Sequence, residues 1–210
     1  IGGARVVSDV EILLLGREVI AGLGLEGVSL QLFHAGAMKA IIDELDLSHD
    51  RKEHLIETVL DGDWRGLVDA VRAVEGEKRY LTPLLSLKGS SAGYLENVRA
   101  LSSNASDRFK TALDEFIDVA RALDDVGCPY EVDITAVRSF EYYTGICFQF
   151  LSSDGEKIGG GGRYDDLIPM MGGPDLPSCG FALYIDQIAT ILEGCASRRA
   201  CIAMVSGNGG

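Results

Sequence analysis

One predicted hairpin, between residues 138 and 166, constrains the fold more than any other stretch of this chain. Its first strand, 146–150, alternates apolar with small or polar side chains, which is the two-residue period of a half-buried strand. An Asp154-Gly155 pair then signals a tight turn. The chain returns through four consecutive glycines at 159–162. These residues predict a sheet in which one strand has four consecutive residues without side chains.

The glycine run needs a physical reason, because glycine in a strand loses much conformational entropy on folding and supplies no side chain to pack. One reason is a ligand that lies flat on the backbone. The other is local, either a β-bulge or a close contact between strand and helix. The hairpin is also expected to bring Arg138, Tyr142 and Tyr143 close to the glycines and Arg163. The sequence leaves both explanations open.

Three segments around this hairpin resemble the class II histidyl-tRNA synthetases in order and spacing. Residues 138–145 (RSFEYYTG) are similar to the histidine-binding signature of that family, and 160–165 (GGGRYD) to the glycine-rich strand that follows it. Residues 179–187 resemble the third class II motif, a glycine-led strand running into a helix. The resemblance implies an α+β fold of the class II aminoacyl-tRNA synthetase type, with a mostly antiparallel sheet flanked by helices.

By this resemblance, the hairpin and its flanks form a histidine-like pocket. Arg138 is expected to pair with a carboxylate or phosphate, and the two adjacent tyrosines to hydrogen-bond an imidazole or amine. The predicted ligand-binding residues are Arg138, Tyr142, Tyr143, Gly160, Gly161, Gly162, Arg163 and Tyr164. The structural alternative is that the tyrosines only pack on the sheet and Arg138 pairs with a nearby acid. No catalytic residue and no metal ligand is predicted.

Departures from the synthetase pattern favour a non-catalytic branch of the family. Where a synthetase carries an arginine that holds the ATP γ-phosphate, this chain has Gln187, and a neutral amide supplies no charge-assisted contact to a phosphate. Tyr184 is bulky where a small residue is usual, and 139–141 (SFE) replaces Gly-Leu-Asp. This pattern resembles the synthetase-like regulatory subunits of ATP phosphoribosyltransferase, which keep the fold and have lost aminoacylation.

The resemblance implies a regulatory subunit of histidine biosynthesis that is not itself an enzyme. It would assemble with a short-form ATP phosphoribosyltransferase catalytic subunit, as a homodimer or hetero-oligomer, and support its activity and feedback inhibition by histidine. No cofactor is expected, and histidine is a candidate ligand. One alternative is a truncated histidyl-tRNA synthetase core, a ligase using ATP and Mg²⁺, which the retained Arg138 favours. Another is a stand-alone histidine-binding module or tRNA-mimicking sensor.

Composition narrows the class of protein. The 210 residues are 47% hydrophobic and 24% charged, as in a packed globular protein. The net charge of −13 argues against non-specific binding to the phosphate backbone of a nucleic acid, so no nucleic acid is expected as a partner. No apolar run in the sequence is long enough to span a membrane, and no secretory signal is expected. The five cysteines lack CxxC spacing, which favours reduced thiols in a cytoplasmic protein, with Cys147 and Cys179 in the core.

The predicted organisation is a synthetase-like core interrupted by a small helical insert. Residues 1–47 form the first part of the core, 48–100 the insert, and 101–210 the second part. The first helix is expected to begin at a capping box of Ser8 and Glu11. The clearest helical period spans 107–125, and Ser106 is its expected N-cap. Residues 200–205 are predicted to form a further strand or an extended segment.

The first residue and the three histidines each give one further expectation. Because the first residue is Ile1 and not methionine, the sequence is expected to be part of a longer chain, and the first two class II motifs and an anticodon-binding domain are absent from it. The histidines are expected to be structural. His34 would be a hydrogen-bonding group at a strand end, whereas His49 and His54 would lie on a solvated helix surface, with spacing unsuited to a metal.

Overall fold

A computed structural model describes residues 1–60, 63–73, 88–133 and 142–202. The helices are α1 (Arg5–Gly22), α2 (Ala35–Glu44), α3 (His49–Leu60), α4 (Arg65–Ala73), α5 (Ala92–Leu101), α6 (Asp107–Asp125), α7 (Leu167–Met170) and α8 (Ile185–Ile202). The strands are β1 (Ser29–His34), β2 (Glu131–Val132), β3 (Ile146–Leu151), β4 (Lys157–Arg163) and β5 (Cys179–Leu183).

The described strands form one sheet in the order β2-β1-β3-β4-β5. β1 and β2 are parallel, and the other neighbouring pairs are antiparallel. The predicted sheet, mostly antiparallel and flanked by helices, is therefore confirmed. The β3–β4 hairpin turns at Gly155, whose φ of 81° lies in the left-handed region that glycine adopts without strain. The register shifts between Phe150 and Leu151, which lie opposite Gly159 and Lys157, so the extra residue, Ile158, places a bulge at the start of β4.

Strand pairing sorts the side chains onto two faces, because directly opposed residues on antiparallel strands project from the same side. One cross-strand row consists of Leu32, Phe148, Gly161 and Phe181. A row of the other face consists of Phe33, Cys147, Gly162 and Gly180. The first face is covered by helices: a Cβ on Gly16 of α1 would lie 2.9 Å from the Phe150 ring, and Phe116 of α6 lies 5.9 Å from the His34 ring.

Buried side chains from the sheet and most of the helices join in one hydrophobic cluster. Leu13 of α1, Ile41 of α2 and Phe116 of α6 pack with the β3 aromatics, and all are at most 2% exposed. The helices between residues 48 and 100 add to the same cluster through Leu67 of α4 and Leu95 of α5, both fully buried. The division into core and insert stays a prediction, but the described helices of the insert share the core's apolar interior.

Helix α6 matches its prediction at both ends. Its bounds are those expected from the apolar period, and the Ser106 side chain accepts a hydrogen bond from the Phe109 N–H at 3.2 Å. Gly127 follows its end with a φ of 64°. The prediction for α1 was wrong at its start. The helix begins at Arg5, and the Ser8 N–H already donates to the Ala4 carbonyl at 3.0 Å, so Ser8 is not an N-cap.

Two further predictions are corrected by the structure. Residues 200–202, expected in a strand, belong to helix α8, while 203–205 lie outside the described residues. Cys179 was expected in the core with Cys147, but only Cys147 is fully buried. Cys179 is half-buried because β5 is the outermost described strand on its side of the sheet.

The histidine predictions are confirmed. His34 is 4% exposed, and its Nδ1 accepts a hydrogen bond from the Ala37 N–H at 3.2 Å, which caps the start of α2. The side chains of His49 and His54 are 83% and 74% exposed on α3. Among the helices of the described part, none combines the length and apolar character needed to cross a lipid bilayer.

Candidate ligand-binding cleft

A cleft of about 420 Å³ opens over the face of the sheet that carries small residues. Its floor is formed by Gly160 and Gly161 of β4 with Gly180 and Ala182 of β5. The register explains this bare floor, since Gly160 lies directly opposite Ala182 and no large side chain rises from this part of either strand. The walls are mainly aromatic and are formed by Phe33, Tyr142, Tyr143, Tyr164 and Tyr184.

Three tyrosines cluster on one side of the cleft. The ring centroids of Tyr142 and Tyr143 are 4.2 Å apart, and those of Tyr142 and Tyr143 lie 6.3 and 6.5 Å from that of Tyr164. Burial, followed by a hydrogen bond with Tyr142, raises the pKa of the Tyr143 phenol far above its ordinary value of 10. Burial likewise raises the pKa of Tyr164. Both hydroxyls therefore stay neutral at physiological pH and can donate or accept hydrogen bonds.

Lys157 is the one charged side chain among the described residues that line the cleft. Its Nζ lies 5.8 Å from the centre of the Tyr184 ring, within cation–π range. The cleft thus offers aromatic faces, phenolic hydroxyls and a single cation. This chemistry suits a small planar polar ligand. A triphosphate is normally held by several positive charges, and the described lining carries one.

The glycines of the floor also have local reasons. A Cβ on Gly161 would lie 2.1 Å from the Gly180 carbonyl oxygen, and one on Gly180 would lie 2.6 Å from the Tyr164 hydroxyl. Both distances are far shorter than a carbon can tolerate, so a larger residue would force the strands or Tyr164 to move. The close approach of β5 therefore explains Gly161, and the position of the Tyr164 side chain explains Gly180. The prediction that a ligand lies on them is compatible with this explanation and stays open.

Arg163, predicted to bind ligand, lies on the opposite face of the sheet. Its guanidinium contacts Asp9 of α1, with Nη2 2.8 Å from Oδ1, and its Nη1 donates to Asp165 Oδ1 at 2.9 Å. The Arg5 carbonyl oxygen accepts a third hydrogen bond from Nη2 at 3.0 Å. Burial of Arg163 disfavours its charged form, but these partners outweigh the cost and raise its pKa. We conclude that Arg163 fastens α1 to β4 and does not face the cleft.

The other predicted ligand-binding residues divide into three groups. Tyr142, Tyr143, Gly160, Gly161 and Tyr164 line the cleft together. Gly162 is buried on the same face, where an added Cβ would lie 3.0 Å from the Tyr143 ring. Arg138 lies outside the described residues. Whether the five lining residues bind a ligand stays a prediction.

Sequence reasoning missed three wall residues, Phe33, Lys157 and Tyr184. Lys157 precedes the glycine run on β4, and Tyr184 follows β5, with its N–H donating to the Ile158 carbonyl at 2.8 Å. The pairing of β4 with β5 places Lys157 and Tyr184 at the cleft, because it brings the start of one strand beside the end of the other. Only a prediction of this pairing could have found them. Gln187, the residue that replaces the synthetase arginine, lies exposed in the first turn of α8.

A mostly antiparallel sheet flanked by helices, with a glycine-containing edge strand that leads into a helix, is the architecture of the catalytic core of class II aminoacyl-tRNA synthetases. The family model described as histidyl-tRNA synthetase matches residues 1–188, and the chain belongs to that family.

Relatives of known name fall into two groups. An ATP phosphoribosyltransferase regulatory subunit of Dehalococcoides mccartyi strain BAV1 is 38% identical over 197 residues, covering 92% of this chain and 47% of that protein. A histidine–tRNA ligase of Sulfolobus acidocaldarius is 27% identical over 199 residues, which cover 92% of this chain and 46% of that protein. The chain spans about half the length of the curated relatives it matches. The predicted resemblance to the regulatory branch is confirmed by these identities.

Solved structures agree with the fold assignment. The crystal structure of an ATP phosphoribosyltransferase regulatory subunit/histidyl-tRNA synthetase from Bacillus halodurans C superposes with a TM-score of 0.76 at 25% identity. The match covers 89% of this chain and 50% of that one. The sheet and the flanking helices described above therefore belong to an architecture known by experiment.

Proposed function

We propose that this protein is a non-catalytic regulatory subunit that assembles with a short-form ATP phosphoribosyltransferase and supports its activity and its feedback inhibition by histidine. The observation that carries this proposal is the difference in identity between the two groups of relatives. The regulatory subunit of Dehalococcoides is 38% identical to this chain, and the Sulfolobus ligase is 27% identical. The two alignments have nearly the same length, 197 and 199 residues.

The chemistry of the cleft supports the same proposal. Adenylate formation requires cations or metal ions that hold a bent triphosphate. Lys157 is the single cation in the described lining, and Gln187 has no charge to contribute. A regulatory subunit needs no nucleotide cofactor and no metal of its own. We further propose that the protein acts in the cytoplasm, where histidine biosynthesis would supply its partner.

Assembly with the catalytic subunit is tested by producing the two full-length proteins together, with an affinity tag on the short-form enzyme. We expect a stable complex, and phosphoribosyl transfer that is stronger and more sensitive to histidine than for the enzyme alone. Absence of both co-purification and any effect on transfer would contradict the proposal.

The cleft is the proposed binding place for histidine or a similar imidazole, through the phenols of Tyr142 and Tyr143. We expect Tyr143→Phe to weaken histidine binding about tenfold in calorimetry, because one neutral hydrogen bond contributes about 1 kcal/mol and burial adds to its loss. Tyr130→Phe is the matched control, since its hydroxyl donates to the Ala120 carbonyl at 3.3 Å, away from the cleft. Equal affinities in the two variants would place histidine elsewhere.

A histidine–tRNA ligase is the second candidate, favoured by the family model and by the Sulfolobus relative. Its signature is exchange of pyrophosphate into ATP in the presence of histidine and Mg²⁺. We expect no exchange by the full-length protein. Robust, histidine-dependent exchange would replace the regulatory proposal with the ligase.

A further inference from the structure

The three tyrosines that cluster at the cleft are carried by two segments outside the paired strands. Tyr142 and Tyr143 precede β3, which begins at Ile146, and Tyr164 follows β4, which ends at Arg163. Their three side chains are called the tyrosine wall. Because the strands end before these residues, contacts other than the regular pairing of β3 with β4 hold the wall against the sheet.

Asp165 contacts the three segments that surround the tyrosine wall. Its N–H donates to Thr144 Oγ1 at 3.0 Å, which ties it to the residue after Tyr143. Its Oδ1 accepts hydrogen bonds from the Ser178 N–H and from Arg163 Nη1, both at 2.9 Å. One residue therefore joins the segment before β3, the end of β4 and the residue that precedes β5.

The contacts of Asp165 fix both chain neighbours of Tyr164. Arg163 precedes this tyrosine and Asp165 follows it, and their side chains contact each other away from the cleft. Ser178 adds a reciprocal pair of hydrogen bonds, because its carbonyl accepts from the Tyr164 N–H at 2.8 Å and its own N–H donates to Asp165. With its backbone held in this way, Tyr164 places its hydroxyl 2.6 Å from the position that a Cβ on Gly180 would take.

The same residue fixes the backbone that follows Tyr143. The Thr144 N–H donates to the Arg163 carbonyl at 2.8 Å, while the Thr144 hydroxyl accepts from the Asp165 N–H. The Asp165 side chain, anchored on its own partners, holds that N–H in place. Lys39 is a further anchor, since its Nζ donates to the Tyr143 carbonyl at 3.0 Å. Loss of the Asp165 side chain therefore loosens Tyr143 less than Tyr164, which adjoins it directly.

We propose that Asp165 is a positioning residue, which holds the tyrosine wall in place and thereby sets the affinity of the cleft for its ligand. Its side chain is 15% exposed, and its partners are a buried arginine and the N–H of Ser178, a residue 1% exposed, so water competes weakly for these contacts. Asp165 does not itself line the cleft. The proposal rests on the use of the cleft proposed above, and it adds the residue that supports the aromatic side chains from outside.

Asp165→Ala and Asp9→Ala separate positioning from stability, because each removes one carboxylate partner of Arg163. Within the described part of the chain, Asp9 bonds to Arg163 and to none of the residues that carry the tyrosine wall. In the full-length protein, at a temperature where both variants are folded, we expect Asp165→Ala to weaken histidine binding about tenfold or more in calorimetry, because a loosened wall must be ordered again by the ligand. Asp9→Ala is expected to bind within about twofold of the parent while losing stability.

Nuclear magnetic resonance of the protein with isotope-labelled tyrosine tests the positioning without any ligand. In Asp165→Ala we expect the ring signals of the tyrosine wall to shift or broaden, most strongly that of Tyr164. The signal of Tyr130, whose hydroxyl donates to the Ala120 carbonyl away from the cleft, is expected to stay in place. Unmoved signals of the wall would overturn the proposal whatever the affinity. If the parent protein does not bind histidine, the proposed ligand is wrong, and these signals alone decide the role of Asp165.

A second variant keeps the proposal testable if Asp165→Ala does not fold. Thr144→Val preserves the shape of the side chain and removes the hydroxyl that accepts from the Asp165 N–H. Its matched control is Thr58→Val, because the Thr58 hydroxyl donates to the Leu55 carbonyl within α3 at 3.0 Å. We expect Thr144→Val to weaken histidine binding and to shift the Tyr143 signal, and Thr58→Val to do neither. If the Asp9 or Thr58 variant disturbs the tyrosine wall as much as its counterpart does, general destabilisation explains the effect and the proposal fails.

Discussion

At the scale of single residues, Arg163 and Asp9 form a buried ion pair that links two distant parts of the chain. Both residues are at most 4% exposed, and the pair joins α1 to β4 across 154 positions of sequence. Burial raises the pKa of Asp9 even though Arg163 favours its ionised form. We expect Arg163→Met to lower the free energy of unfolding by about 3–5 kcal/mol in urea denaturation, because it leaves Asp9 buried without its cation.

An exposed ion pair supplies the comparison for this prediction. Arg121 contacts Glu96 at 2.7 Å, and both side chains are largely exposed. Arg121→Gln is expected to cost less than about 1 kcal/mol, as surface pairs usually do. If Arg163→Met proves no more destabilising than Arg121→Gln, the buried pair is not what fastens α1 to the sheet.

Glu115 makes stability depend on pH. Its contact with His34 and, against the cost of burial, the attraction of His34 and Arg5 lower its pKa below the ordinary value of 4.5. A carboxyl with a lowered folded-state pKa contributes stability above its unfolded pKa and loses it as the pH falls through the folded value. We expect Glu115→Gln to be less stable than the parent at pH 6, and the difference to shrink as the pH falls below about 4.5. Urea denaturation of both proteins from pH 3 to 7 measures this, and a difference independent of pH would contradict the assignment.

At the scale of elements, two serines that precede helices provide a matched pair. Ser106 caps α6 through its side chain, which accepts from the Phe109 N–H, whereas Ser91 precedes α5 and its side chain makes no capping hydrogen bond. We expect Ser106→Ala to cost about 1 kcal/mol of stability. Ser91→Ala is expected to change it by less than half as much. Equal effects in thermal denaturation would show that the observed cap does not stabilise α6.

The sequence correctly predicted those helices and strands that a single local pattern determines. The apolar period of α6 and its cap gave both ends of the helix, and the Asp-Gly turn gave the β3–β4 hairpin. Five predicted pocket residues lie together in the cleft because the β3–β4 hairpin brings the segment before β3 beside the glycines of β4, and a hairpin is local in sequence.

The predictions failed where a contact with a residue distant in sequence determines the structure. Nothing near Arg163 in sequence reveals that its partner is Asp9, so its side chain could not be assigned to a face of the sheet. Ser8 and Glu11 fit a capping box, yet α1 continues back to Arg5, whose carbonyl and side chain are held by Arg163, Glu115 and Asp165. Lys157 and Tyr184 became cleft residues only through pairing of β4 with β5, which single-strand patterns do not specify.

At the scale of the whole molecule, the helices between 48 and 100 share one interior with the sheet and α6. Leu95 of α5 is fully buried in the common cluster, whereas Leu101 of the same helix is 62% exposed. We expect Leu95→Ala to lower the free energy of unfolding by about 2–5 kcal/mol, because it removes buried methyl groups and leaves a cavity. Leu101→Ala, the same substitution at an exposed site, is expected to change it by no more than about 0.5 kcal/mol.

The shared interior also predicts a single cooperative unfolding transition. Trp64, the one tryptophan of the chain, lies between α3 and α4 and packs against the common cluster, so its fluorescence reports on the helical region. Far-ultraviolet circular dichroism reports on all helices, including α6. Because α5 packs against α6 through buried residues, we expect the urea transitions seen by the two probes to coincide, and Leu95→Ala to shift both to the same lower midpoint. An early fluorescence transition, with the dichroism change following at higher urea, would show instead that residues 48–100 unfold as a unit of their own.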